Sequence, residues 1–426
     1  MLNSRTSACC VALIVLAGCG GQSKLALPPV GSAVREAAPS HHGPRRHERV
    51  LYSFNGNADG GDPAADLVFD PSGNLYGTTV VGGAANCGTV FELTPRARPP
   101  WQESVRYNFT CYSDGKNPYG GVFLDSQENA FGTTVSGGSG PSCGSTGCGV
   151  AFELSGSNER VLHDFTGGSD GFGPGGGLAA DAHGNLFGTT PDGGAYGAGT
   201  VYELYRHGTT WKERVLHAFT GGTDGATGSL GRLVVDNAGS VYGVTEVGGA
   251  NSAGTVYRLT PSKGGFTFAT LYAFKGAPDC ASPYGGLSYD AGGGDLYGTT
   301  YYGGSSGAGC IFRLDAARKY AEYILYSFKG GSDGSNPTST LATLGKCCFD
   351  FYGTTSTGGG SCDCGTIFHL HRTAKAPASE TVVHAFGGAG DGAYPYYGMK
   401  YSNGNLYGTT AAGGNANQGT VFEFGQ

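Results

Sequence analysis

The chain is poor in charge. Only 14% of its 426 residues are Asp, Glu, Lys or Arg, and the formal net charge is -7. Nucleic-acid binders carry a basic face, so nucleic acid is not an expected partner. Long hydrophobic runs are missing too. The apolar stretch ACCVALIVLA, residues 8–17, is too short for a stable membrane-spanning helix and fits the core of a secretory signal peptide. No Ser/His/Asp or Cys/His constellation can be assembled from motifs. A phosphate-binding loop needs Gly-x-x-x-x-Gly-Lys-Ser/Thr between a strand and a helix. In LYGTTVVGG, residues 75–83, no Lys follows the Gly pair.

What is present is Gly, at 81 residues, with 12% aromatics and 13 Cys. A disordered Gly-rich chain would lack the aromatics, so the glycines belong to a packed structure. That many Cys argues for an oxidising compartment. The apolar run ends in LAGC, residues 16–19, which resembles the lipobox of bacterial lipoproteins. The resemblance implies a signal peptide over 1–18, lipid attachment at Cys19 and anchoring to a membrane. By the same resemblance, Gly20 favours the outer membrane. Residues 19–47 have no apolar period and read as a flexible tether.

From residue 48 to 426 one pattern repeats. Its aromatic slot holds Tyr76, Phe131, Phe187, Tyr242, Tyr297, Tyr352 and Tyr407, spaced 55 or 56 residues apart. A Gly follows each aromatic, a Gly pair lies five residues further, and another Gly opens an apolar run. Such a period identifies a repeat architecture. Each unit reads as four strands: in the first copy LVFD (67–70), LYGTT (75–79), GTVFELT (88–94) and ESVRYNF (103–109). Adjacent residues in the second strand are both apolar, so both faces of the sheet need cover. Repeated four-stranded sheets with two buried faces predict an all-β, seven-bladed β-propeller. ERVLYSF, residues 48–54, is a fourth strand without its first three, and the chain stops after a third strand. The N-terminal strand is therefore expected to complete the last blade.

These units resemble the GloVer tandem-repeat family of bacterial surface proteins. The shared pattern is aromatic-Gly-Thr-Thr, two residues, Gly-Gly, a gap, then Gly-Thr-Val/Ile-Phe/Tyr. Val244 and Val150 depart from it. The resemblance implies a surface address and interchangeable anchors, and no established activity.

Residues common to all copies build a ring, whereas a functional site must be asymmetric. Asp59, Asp114, Asp170, Asp224, Asp279, Asp333 and Asp391 fill one loop slot and read as turn formers rather than a cation ring. His163, His217 and His384 stand where other copies have Tyr, so they read as ring-packing residues. Tyr119, Tyr284 and Tyr396 follow the loop Pro, and Tyr301, Tyr302, Tyr394 and Tyr397 fall on the same side. Flat rings beside hydrogen-bonding groups suit sugars or protein partners. Three cystine pairs are expected: Cys87 with Cys111, Cys143 with Cys148, and Cys280 with Cys310. Cys347, Cys348, Cys362 and Cys364 have no assigned pairing. With His369 and His371 they do not form one plausible zinc site, so no metal or other cofactor is expected. The Glu slot of the third strand (Glu92, Glu153, Glu203, Glu423) reads as a charged strand face. The expectation is a monomeric, lipid-anchored, noncatalytic binding or scaffold module for a glycan or protein. The alternative is a sugar lyase or lactonase-like enzyme using the central channel.

Overall fold

The computed structural model describes residues 47–63, 66–343, 350–372 and 378–425. The signal peptide, Cys19 and the tether up to residue 46 lie outside the described residues, as do Cys347 and Cys348. His47, assigned to the tether from sequence, instead begins a strand.

Among the described residues seven antiparallel blade sheets follow one another, each built on four strands, with a short fifth strand in blades four and six. In blade one these are Val68–Phe69, Leu75–Thr79, Thr89–Thr94 and Gln102–Asn108. The first strand is shorter than its sequence suggested. The seventh sheet joins Lys400–Ser402, Asn405–Thr410 and Thr420–Gly425 to His47–Ser53. Its outer register runs from His47 opposite Gly425 to Ser53 opposite Thr420. Strands from both ends of the sequence thus close the ring.

Three sevenfold features hold neighbouring blades together. The first is aromatic. Phe54, ending the fourth strand of blade seven, meets Phe91 of blade one edge-on at 5.1 Å, and Phe109 meets Phe152 at 5.2 Å. The pattern continues round the ring through Phe165–Tyr202, Phe219–Tyr257, Phe274–Phe312, Phe328–Phe368 and Phe386–Phe422. Edge-to-face rings add to the apolar burial. The second is a hydrogen bond. The residue before the loop Pro (Asp62, Asn117, Ser282 and their equivalents) adopts positive φ in every blade. Its N–H reaches the carbonyl just before the third-strand Gly of the preceding blade, as in Asn117 to Cys87 at 2.9 Å. The third is a bulge. Each third-to-fourth strand pairing skips one residue, such as Arg106 between Val105 and Tyr107. Bulges bend a strand and raise its twist.

The Gly after each aromatic has a steric cause. Gly77 pairs with Phe91 across the sheet, and a Cβ on Gly77 would lie 2.5 Å from the Phe91 ring. The same clash recurs at Gly132, Gly188, Gly243, Gly298, Gly353 and Gly408. Gly77→Ala is therefore expected to cost about 1–3 kcal/mol through overpacking. The control is Gly360→Ala, where a Cβ has open space. Equal melting temperatures for the two variants would contradict this account.

Candidate functional site

Topology gathers two loop sets on one face. The loop entering each blade pairs with that blade's second-to-third loop: Gly61 with Val81, Lys116 with Ser136, Phe172 with Asp192, and Ala393 with Ala412. Blades four to six repeat this at Ala226–Val247, Ala281–Tyr302 and Ser335–Thr357. Among the described residues the exposed tyrosines are Tyr112, Tyr196, Tyr302, Tyr396 and Tyr401. The first four belong to these loops. Sequence reasoning did not single out Tyr112 and Tyr196, which lie beside neither another tyrosine nor the loop Pro.

The tyrosines singled out from sequence do meet, but in two environments. Tyr302 is 54% exposed and Tyr396 38%, whereas Tyr119, Tyr284, Tyr301 and Tyr397 are partly buried. Tyr301 contacts Tyr302 edge-on at 4.7 Å and Tyr284 at 6.1 Å. Tyr396 stacks with Tyr394 at 6.2 Å. Burial raises the Tyr119 hydroxyl to about 12, with Asp62 and Tyr396 adding to the effect. Desolvation lifts Asp62 itself to about 6 and also raises Glu246, which faces Tyr284 and Tyr301. The partly buried rings thus sit beside carboxyls that burial pushes toward the neutral form.

Tyr284, Tyr396 and Tyr397 also line a narrow space at the axis. Asp66, Gly120, Gly177, Arg232, Gly286, Thr340 and Gly398 border a cavity of about 20 Å³. That is the room of about one water, far below an ordinary ligand pocket. Backbones from neighbouring blades touch here: a Cβ on Gly231 would lie 2.1 Å from the Gly286 nitrogen. Arg232 donates to the Val122 carbonyl at 3.1 Å, and Asp66 accepts the Gly398 N–H at 2.9 Å. A central-channel enzyme, the alternative from sequence, would find room for about one water in this cavity.

The seven loop Asp residues are engaged in the fold. Each accepts the backbone N–H of the residue four positions earlier. Each also meets the Tyr or His of the preceding fourth strand, as in Tyr107 to Asp114 at 3.0 Å and His217 to Asp224 at 2.9 Å. For His384 and Asp391 the contact is 3.2 Å. The Tyr/His slot and the Asp slot, read separately from sequence, are thus one unit.

A third member was missed. Glu48, Glu103, Glu159, Glu213, Glu322 and Glu380 occupy one fourth-strand slot, four residues before the Tyr or His, and Phe268 holds it in blade four. Each Glu buries its Oε1, and Glu322 and Glu380 lie against Asp279 and Asp333. Desolvation, with the Asp of the loop entering the same blade nearby, raises Glu48 to about 8 and the other five to about 7. In blade four Phe268 stacks on His217 at 3.8 Å instead. The third-strand Glu residues have a plainer use. Glu92 pairs with Arg106 at 3.4 Å and Glu153 with Arg160 at 3.3 Å, while Glu203 pairs with Arg214 and Glu423 with Arg49.

Among the described residues four disulfides are present: Cys87–Cys111, Cys143–Cys148, Cys280–Cys310 and Cys362–Cys364. They place the ring in an oxidising, extracytoplasmic compartment. Among the described residues no helix is long and apolar enough to cross a membrane.

No curated protein matches the sequence. Among solved structures, a gluconolactonase from Xanthomonas campestris is 13% identical, with TM-score 0.41, over 74% of this chain and 87% of that one. A protein of unknown function from Dyadobacter fermentans is 11% identical, with TM-score 0.42, over 79% of this chain and 98% of that one. Likeness this distant carries no argument about activity. The model of the Gloeobacter/Verrucomicrobia repeat matches residues 141–368 and 229–426, together more than half of the chain. The chain belongs to the Gloeobacter/Verrucomicrobia repeat family.

Proposed function

We propose that the ring is a noncatalytic binding module that presents its tyrosine-bearing face to a glycan. The observation that carries this reading is the concentration of exposed Tyr112, Tyr196, Tyr302 and Tyr396 on one set of loops. A tyrosine offers a flat apolar ring and a hydroxyl that hydrogen-bonds, which matches the mixed faces of a sugar. The narrow axis favours surface binding over a buried substrate. In this reading the module is a monomer, held outside the cytoplasm by lipid on Cys19, with residues 19–46 as its tether.

A glycan array should identify a ligand class for the full chain. The pair Tyr302→Ala and Tyr396→Ala should then weaken that binding about tenfold, equivalent to ~1.4 kcal/mol. Both side chains are exposed, so the fold should survive the change. Absence of any glycan ligand, or unchanged affinity in the double variant, would defeat the reading.

A further inference from the structure

We propose that Asp350, His369 and His371 form a binding site for a divalent first-row metal of the zinc type on blade six. His369 and His371 are two residues apart on the strand Thr366–His371, so their side chains leave the same face. Asp350 opens the neighbouring strand Asp350–Thr357 and pairs directly with His371. His369 Nε2 lies 3.0 Å from Asp350 Oδ1, and His371 Nδ1 lies 2.6 Å from the same oxygen. One donor atom from each residue falls within 4.8 Å of the others. Zinc binds imidazole nitrogen and carboxylate oxygen at about 2.0–2.2 Å, so small side-chain adjustments would enclose an ion.

The chemistry of the donor set is selective. Two imidazoles and a carboxylate suit zinc and its transition-metal neighbours better than calcium or magnesium, which prefer all-oxygen shells. Three protein donors leave a coordination position open to water or to an outside ligand. The ring of His369 stacks on Tyr352 at 4.4 Å, which fixes its orientation before any ion arrives. His371 and Asp350 are 50% and 39% exposed, giving an ion a path from solvent. The adjacent guanidinium of Arg372 turns away, toward the Tyr297 hydroxyl at 3.4 Å.

The ring does not need this donor set for closure. In blade three the slots of His369 and Asp350 hold Glu203 and Asn185, and Glu203 is paired with Arg214. In blade five Arg313 occupies the His369 slot and binds Asp295 and Asp315. Blade six is where these strand positions carry two imidazoles around one carboxylate. From sequence, His369 and His371 together with Cys347, Cys348, Cys362 and Cys364 are not expected to form one zinc site. The structure separates the two histidines from Cys362 and Cys364, which are bonded to each other beyond the opposite end of Asp350–Thr357.

The test is titration of the full, untagged, metal-stripped chain with zinc chloride, read by calorimetry, and with cobalt(II), read by its visible absorption. The expected result is a binding event that weakens at least tenfold in His371→Ala and disappears in His369→Ala/His371→Ala. His384→Ala should leave it unchanged, although His384 also neighbours two carboxyls, Glu48 and Asp391. The melting temperature of the double variant in chelator shows whether it folds. Asp350→Asn supplies a milder, isosteric check, with an expected loss of about tenfold. Absence of zinc uptake by the parent chain, or uptake unchanged in the folded double variant, overturns the proposal.

Discussion

Removing residues 47–54 is expected to abolish the closed ring. The strand His47–Ser53 supplies the outer edge of blade seven, paired with Thr420–Gly425 along its length. It brings Leu51 and Phe54, both fully buried, and the edge-on contact of Phe54 with Phe91 in blade one. Losing the side chains of a buried Leu and a buried Phe costs roughly 5–10 kcal/mol together. A domain's whole stability is about 5–15 kcal/mol. The truncated chain would also expose the polar backbone of Thr420–Gly425 as a free strand edge, which invites aggregation. The measurements are thermal unfolding and limited proteolysis of a chain beginning at Asn55 beside the full chain. A peptide of residues 47–54 added in trans should restore part of the protection. Unfolding that is unchanged by the deletion would show that the ring closes by other means. The milder Phe54→Ala should cost about 3–5 kcal/mol. Phe219→Ala, at the equivalent and equally buried place in blade three, should cost a similar amount.

Raising the pH from 6 to 9 should lower the melting temperature substantially, on the order of 5 °C or more. The cause is the interblade Glu slot. Glu48 rises to about 8, and Glu103, Glu159, Glu213, Glu322 and Glu380 to about 7, because burial disfavours their charged forms and an Asp lies close by. Their ordinary value is 4.5, so between pH 4.5 and 7–8 the folded ring holds protons that the unfolded chain releases. By linkage, stability falls as pH rises through that window. The opposite limb has its own groups. Asp170 is lowered to about 2 overall, its bonds with His163 and Thr166 outweighing desolvation, and Asp224 is lowered in the same way by its bonds to Thr220 and His217. A lowered carboxyl gives stability that is present above its unfolded value, 3.8, and lost as pH falls toward 2. The ring should therefore be most stable in mildly acidic solution. Glu103→Gln and Glu48→Gln, which keep shape but cannot ionise, should flatten the alkaline limb. A melting temperature that stays level from pH 6 to 9 would contradict the neutral-Glu account.

Much of the ring was legible because its causes are local and repeated. The aromatic-Gly-Thr-Thr slot, the Gly pair and the fourth-strand Phe recur at a fixed period, and each follows from strand alternation or a turn. Closure was legible because residues 48–54 read as a fourth strand, and that strand pairs with Thr420–Gly425. The six Glu sit at a constant offset before the Tyr or His, which by itself carries no sign of burial. Only the packing of one blade against the next shows that their carboxyl oxygens are buried beside an Asp.

The candidate site was legible in part. Topology placed the tyrosines on one face, but their exposure depended on neighbours distant in sequence. Tyr119, Tyr284 and Tyr397 are partly covered at the axis, while Tyr112 and Tyr196 stand out on the loops of blades two and three. The sequence by itself determined the blade number, the four-strand unit and the closing strand, because each rests on periodicity and local chain geometry. The tertiary structure decided the narrow axis, the carboxyl pairs of Glu with loop Asp and the meeting of Asp350 with His369 and His371. Those depend on which side chains from separate strands share a volume, and no spacing along the chain specifies that.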